Sequence, residues 1–171
     1  QEEQLGTGHA VVCGLNKCEE SSTHCIILAG DCPLIKSETI TSLVDLHTQS
    51  KAKATLLTAK LDDADNYGRI IRDENNQIIA IREAKDCTKK ELAIQEFNSG
   101  IYCFKTSDLK TCIKQLNTNN AQNEYYLTDV IEFFSQSGEI VSGLCIDNAW
   151  EVSGANTQEE LNLMATASLN N

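Results

Sequence analysis

Asp31 closes an apolar run, Cys25-Ile-Ile-Leu-Ala-Gly-Asp31, and Pro33 then forbids the run from continuing as a ladder. Such a run predicts a strand over 25–29 that is buried on both faces. An acid at the carboxyl end of a buried strand stands where open α/β sheets place their ligands. A carboxylate there is a hard oxygen ligand for Mg²⁺, which usually arrives with substrate phosphates. It could equally cap the turn before the next helix, and this stretch alone leaves the two readings level. Far down the chain, Gly154-Ala-Asn156 lies before a helix, where an asparagine caps. Asn156 becomes a second oxygen ligand only if the fold brings Asp31 to it.

Other polar groups interrupt segments that packing alone would keep apolar. Gln4-Leu-Gly-Thr-Gly8 offers backbone donors and a hydroxyl at a helix start, with Thr7 as a candidate cap. That suits a nucleotide base or phosphate, although most glycine-rich turns are only turns. Gly68 stands at a strand entrance, where backbone can approach a ligand closely. Glu83 ends a strand and could accept sugar hydroxyls; pairing with Lys85 or Arg82 is the commoner fate of such a group. Asn98-Ser-Gly100 breaks an apolar strand, so Asn98 is expected to face a ligand rather than the core. The amide-rich segment 117–129 carries Tyr125, Tyr126 and Thr128, and reads as a surface loop or a sugar-recognition wall.

These groups need elements to hold them. A helix is expected from Thr7 through Leu15, and another over 37–46 with Ser37 as its cap. A second strand follows at 53–61. Strand, helix and strand in that order favour a parallel sheet with crossover helices. Residues 68–72 and 77–81 flank a polar turn and read as a hairpin. A strand over 94–104, short helices from Ser107 and Thr128, a strand at 139–146 and a helix from Thr157 complete a single mixed α/β domain.

The net charge of −11 argues against nucleic acid and anionic membrane as partners. No apolar run approaches the length of a membrane span. None of the eight cysteines falls in a C-x-x-C pair, so free thiols in a reducing cytoplasm are expected rather than a zinc site or a disulfide framework. There is no G-x-S-x-G, H-E-x-x-H or Walker loop.

Taken in order, QLGTGHA (4–10), LAGDCPLI (28–35), YGRIIR (67–72), REAKD (82–86), EFNSGIY (96–102), NNAQNEYYLTD (119–129) and VSGAN (152–156) resemble a known family. It is the uridylyltransferase domain of bacterial bifunctional UDP-N-acetylglucosamine pyrophosphorylases, the GlmU type. The resemblance implies a Rossmann-like nucleotidyltransferase fold with a mixed, mainly parallel sheet and a β-hairpin insertion. It also implies that residues 1–171 are a partial uridylyltransferase domain. The family's first strand and phosphate loop, and its left-handed β-helix acetyltransferase domain, are expected to be missing, so little activity is expected of this stretch alone.

The implied reaction joins UTP and N-acetylglucosamine 1-phosphate into UDP-N-acetylglucosamine and pyrophosphate, with Mg²⁺ as cofactor, in cytoplasmic cell-wall precursor synthesis. By motif position, Asp31 and Asn156 would hold the Mg²⁺. Gln1, Gly6, Thr7, Ala29, Gly30 and Asp31 would take the nucleotide. Gly68, Glu83 and Asn98 would bind the acetylated sugar, with Tyr126 and Thr128 close by. The parent is expected to form homo-oligomers through its acetyltransferase domain. Asn123 stands where the family usually has glycine, and Glu83 is followed by Ala84 rather than a polar residue. Two alternatives remain: a sister enzyme for another sugar or base, such as glucose 1-phosphate with dTTP, and a non-catalytic nucleotide-sugar-binding module.

Overall fold

The computed structural model describes residues 1–19, 21–155, 157, 158, 161, 162, 164 and 166. Asn156 and part of the helix expected from Thr157 fall outside them. The elements run α1 (Thr7–Leu15), β1 (His24–Ile27), α2 (Ser37–Ser50), β2 (Ala54–Lys60), β3 (Arg69–Arg72) and β4 (Ile78–Arg82). They continue with β5 (Glu96–Lys105), α3 (Thr106–Cys112), α4 (Asp129–Gln136) and β6 (Val141–Ile146). Single 3₁₀ turns lie at Ala84–Asp86 and Ala149–Val152.

The strands form one sheet in the order β4-β3-β5-β2-β6, with β1 also paired to β5. β1, β2 and β3 all run antiparallel to β5, and β6 runs parallel to β2, so these four share one direction. The expected common direction is therefore present, but the ladders are mostly antiparallel. The reason is β5, which runs against its neighbours and sits among β1, β2 and β3.

The strand buried on both faces is β2, not β1. Every residue of β2 except Lys60 is buried: β5 and β6 pair with its two edges, and side chains from α3 and α4 on one side and α2 on the other cover its faces. β1 is shorter than expected, ends at Ile27 and alternates exposed with half-buried positions. Ile26 is 43% exposed and Leu28 just beyond it 53%. An unbroken apolar run does not distinguish a central strand from one whose outer face is open.

Period-two alternation along β2 and β5 divides the core into two layers. Leu56, Tyr102 and Phe104 pack with Leu15, Leu109, Val130, Ile131 and Phe134 from α1, α3 and α4. Leu57, Phe97, Ile101 and Cys103 point the other way, toward Leu43 of α2 and Val152. The β3–β4 hairpin forms as expected: Asp73 Oδ1 accepts the N–H groups of Asn75 and Gln77 at 2.9 and 2.8 Å, and Asn76 takes a left-handed φ of 61°. The expected helix cap Ser37 is instead the first helical residue, after Lys36. All eight cysteines are free. No helix among the described residues is long and apolar enough to cross a membrane.

Candidate functional site

A pocket of about 240 Å³ opens on the α1/α4 side of the sheet. Its wall takes Thr7, Ala29, Glu83, Asn98 and Thr128 from five separate stretches of chain, together with Gly100 and Tyr102. Five residues singled out from the sequence thus converge, and the fold supplies a reason for each position.

Asn98 reaches the pocket through a bulge. Thr58 pairs with Asn98 and Leu56 with Tyr102, so the register of β2 against β5 slips between them. Gly100 absorbs the kink with a φ of 76°. Ser99 completes the bulge: its hydroxyl donates to the Leu57 carbonyl at 2.6 Å and accepts the Ile101 N–H at 3.2 Å. The Asn98 amide is oriented by its neighbours. Its Oδ1 accepts the Gly100 N–H at 3.3 Å and its Nδ2 donates to the Tyr102 hydroxyl at 2.7 Å. Tyr102 is buried, and that burial drives its phenol pKa well above the ordinary value.

Gly68 sits against both groups. Its carbonyl accepts the Asn98 N–H at 2.8 Å, and a Cβ there would meet Ile81 Cγ2 at 3.1 Å and Glu83 Oε2 at 3.4 Å. Glu83 is not paired with Lys85 or Arg82. Lys85 donates to Gln122 at 2.7 Å, and Arg82 lies 3.7 Å from both Glu91 and Glu132. Glu83 Oε1 instead accepts the Thr128 hydroxyl at 2.9 Å. Burial raises the Glu83 pKa, the Thr128 bond opposes this, and Asp129, Asp86 and Glu124 push it further up.

Tyr126 lies beside the pocket rather than on its wall. It is buried, its hydroxyl donates to Asp86 Oδ2 at 3.2 Å and accepts from Gln122 Nε2 at 2.9 Å, and its pKa is pushed up to about 12 by burial. Tyr126 thus anchors the amide-rich segment as an internal strut; of that segment Leu127 and Thr128 reach the pocket wall, while 117–125 is exposed or half-buried.

The glycine-rich turn has a structural task. Gly6, not Thr7, caps α1, with a φ of 104°. A Cβ on Gly6 would lie 2.7 Å from the Tyr125 carbonyl, and the Gly8 N–H already donates to that same oxygen at 2.7 Å. Tyr125 N–H donates to the Leu5 carbonyl at 2.9 Å, and Leu127 N–H to the Thr7 hydroxyl at 3.0 Å. The turn thus seats the 124–127 segment, and Thr7 faces the pocket while doing so. Gln1 lies alongside, its Nε2 donating to the Gly6 carbonyl at 3.3 Å.

Asp31 is exposed, one residue beyond the open backbone of Gly30. Around it the chain near residue 155 returns. Ala155 N–H donates to the Asp31 carbonyl at 2.9 Å, and Cys32 Sγ donates to the Val152 carbonyl at 3.5 Å. Buried Glu151 accepts the backbone N–H of Lys36 and the Thr39 hydroxyl. The peptide neighbour of Asn156 is therefore fixed against Asp31, while Asn156 itself is outside the described residues. An exposed carboxylate, touched by Cys32 Sγ at 3.9 Å and carried on a turn that the chain near residue 155 holds, fits Mg²⁺, which takes one or two protein oxygens and fills its remaining positions with phosphate and water. Residues that sequence reasoning passed over are Tyr67, Tyr102 and Glu151, none of which carried a signal, while Gly100 was read only as part of the triplet that breaks the strand.

A sequence model of the nucleotidyl transferase family matches residues 1–155. The chain is 45% identical over 161 residues to the Bifunctional protein GlmU of Clostridium novyi, and 43% identical to that of Desulfitobacterium hafniense. Each alignment covers 94% of this chain and 35% of the relative, so the chain spans about a third of the length of these curated proteins. Among solved structures, a Bacillus anthracis chain assigned as a glucose-1-phosphate thymidylyltransferase, crystallised with sucrose, superposes with a TM-score of 0.69. It covers 97% of this chain and 62% of its own at 21% identity, a likeness of fold. The Rossmann-like nucleotidyltransferase fold follows.

Proposed function

This chain belongs to the nucleotidyl transferase family, and from that premise we propose that it is the sugar-binding and metal-binding part of a sugar-1-phosphate uridylyltransferase. The substrates are UTP and N-acetylglucosamine 1-phosphate, and the products UDP-N-acetylglucosamine and pyrophosphate. The observation that carries the reading is the pocket itself, where Thr7, Ala29, Glu83, Asn98 and Thr128 meet. Its likeness to proteins named Bifunctional protein GlmU supports the choice of base and sugar. The role is supply of a cytoplasmic cell-wall precursor, and the longer parent assembles into homo-oligomers.

In the reaction, a phosphate oxygen of the sugar phosphate bonds to the α-phosphorus of UTP as the bond to pyrophosphate breaks. Such transfer asks the protein mainly for positioning and charge neutralisation. Glu83, held by Thr128, accepts sugar hydroxyls. Asn98, fixed by Gly100 and Tyr102, presents its second amide hydrogen and the remaining lone pair of its Oδ1 to the sugar. Gly68 lets the backbone approach. Gln1, Gly6, Thr7, Ala29 and Gly30 line the nucleotide side. Asp31 and Asn156 would hold Mg²⁺, which when bound neutralises phosphate charge.

Calorimetry tests this directly. UDP-N-acetylglucosamine should bind the chain with Mg²⁺ present, and dTDP-glucose at least tenfold more weakly. Asp31→Ala should remove the Mg²⁺-dependent part of that affinity without changing the thermal midpoint, since the side chain is exposed. Equal binding of both nucleotide sugars would overturn the choice of substrate. An unchanged Mg²⁺ dependence in Asp31→Ala would overturn the metal assignment.

A further inference from the structure

Tyr67 bridges two parts of the molecule that the sequence keeps 87 residues apart. Its backbone is fixed first. The guanidinium of Arg69, almost fully buried, donates to the carbonyls of Ala64 at 3.4 Å, Asp65 at 3.2 Å and Leu92 at 3.5 Å, and to that of Tyr67 itself. The Tyr67 ring packs on Phe97, centroids 4.5 Å apart and tilted 45°, and Phe97 directly precedes Asn98. With backbone and ring so placed, the hydroxyl accepts the N–H of buried Gly154 at 2.9 Å. One residue later, Ala155 N–H donates to the Asp31 carbonyl at 2.9 Å. Two consecutive backbone donors are thus claimed by two different elements: the hairpin entrance that carries Gly68, and the turn that carries Asp31.

We propose that Tyr67 is a positioning residue for the divalent cation, acting from the sugar side of the site. Its hydroxyl fixes the 154–155 backbone against Asp31, and so holds the turn that carries the Asp31 carboxylate in place. The proposal rests on the reading of Asp31 and Asn156 as oxygen ligands. The chemistry favours it over a purely structural strut. A half-buried strut needs only the ring, which Phe97 already holds, whereas among the described residues the hydroxyl's hydrogen bond goes to Gly154. A movement of the hairpin on sugar binding would pass to the cation through this one bond.

Tyr67→Phe keeps the ring and removes the acceptor. The test uses Mn²⁺ as the probe, titrated into the chain in the presence of UDP-N-acetylglucosamine and followed by electron paramagnetic resonance. Wild type, Tyr67→Phe and Asp31→Asn are compared. Tyr67→Phe should bind Mn²⁺ about tenfold more weakly, the equivalent of one hydrogen bond worth about 1.4 kcal/mol. Amide exchange at Gly154 should quicken in the variant, while its affinity for UDP-N-acetylglucosamine in EDTA should stay within about twofold of wild type. If Asp31→Asn loses Mn²⁺ but Tyr67→Phe retains wild-type affinity, the role given to Tyr67 is overturned and the metal reading stands. If Asp31→Asn binds Mn²⁺ as wild type does, the metal reading falls and this proposal with it. Equal losses of Mn²⁺ and of sugar nucleotide in EDTA would mean general loosening, and would also overturn it.

Discussion

Thr128→Val tests whether the Glu83 carboxylate is kept ionised in its half-buried place by a single hydroxyl. The substitution preserves shape and removes the 2.9 Å bond to Oε1. Burial already holds the Glu83 pKa above its ordinary value, with Asp129, Asp86 and Glu124 adding to the rise. A hydrogen bond to a charged group is worth roughly 1.5–3 kcal/mol, and one to a neutral carboxyl about 1 kcal/mol. Because the folded pKa lies above the unfolded one, Glu83 favours the native state below the unfolded value. That contribution is lost as pH rises through the folded pKa. Removing the hydroxyl raises the folded pKa further, by about one unit per 1.4 kcal/mol. The variant should therefore be about 2 kcal/mol less stable than wild type at pH 7, a fall of roughly 4–8 °C in thermal midpoint. Near pH 4 the gap should shrink to about 1 kcal/mol. Urea unfolding at a series of pH values, with Glu83→Gln as the uncharged reference, measures it. Parallel stability curves for wild type and variant between pH 4 and 7 would refute the reasoning, because the bond would then not discriminate between the two charge states.

Three further outcomes follow, from one buried histidine and two glycines of opposite surroundings. His47 is buried, its Nδ1 bonded to the Thr55 hydroxyl at 2.9 Å, and burial followed by the nearby His24 lowers its pKa. The unfolded chain thus takes up a proton before the folded one does, and stability should fall as pH drops below about 6.5; urea midpoints in His47→Gln should lose that part of the slope. At Gly6 the left-handed φ and the 2.7 Å approach of the Tyr125 carbonyl should make Gly6→Ala cost about 3 kcal/mol. Gly14→Ala, which meets nothing within 4 Å inside α1, should instead gain about 0.5 kcal/mol, and chemical unfolding of the pair separates the two predictions.

The elements were legible where period and punctuation agreed. The hairpin of β3 and β4 announced itself through Asp73-Glu-Asn-Asn76, because a turn of that chemistry has few other uses. The ladder directions were not legible. Nothing in Glu96–Lys105 says that β5 runs against β2, since a strand's direction depends on how its connections cross the sheet. The same limit misplaced the doubly buried strand. Cys25–Ala29 is the more apolar stretch, whereas Ala54–Ala59 carries Thr55 and Thr58, and only the neighbours β5 and β6 at the edges of β2 make it the interior one.

The site was legible in its residues but not in its supports, and the difference is physical. Asn98 and Glu83 are polar groups in places where packing gives them no purpose, so they stand out along one dimension. Tyr102 is an aromatic residue among apolar ones and reads as core, and Tyr67 stands in a polar bend, Asn66-Tyr67-Gly68, whose glycine takes the attention. Each nevertheless aims one oxygen at a group distant in sequence or lodged in a bulge: Gly154 for Tyr67, Asn98 for Tyr102. The glycine-rich turn shows the same limit from the other side. Gly6 and Gly8 read as donors to a ligand, and the structure adds a second demand on them, because the close approach of Tyr125 is enough to require both to lack a side chain. A glycine marks where something comes near. Whether that something is substrate or the protein's own backbone is decided by the partner segment, here 124–127, which the turn cannot encode.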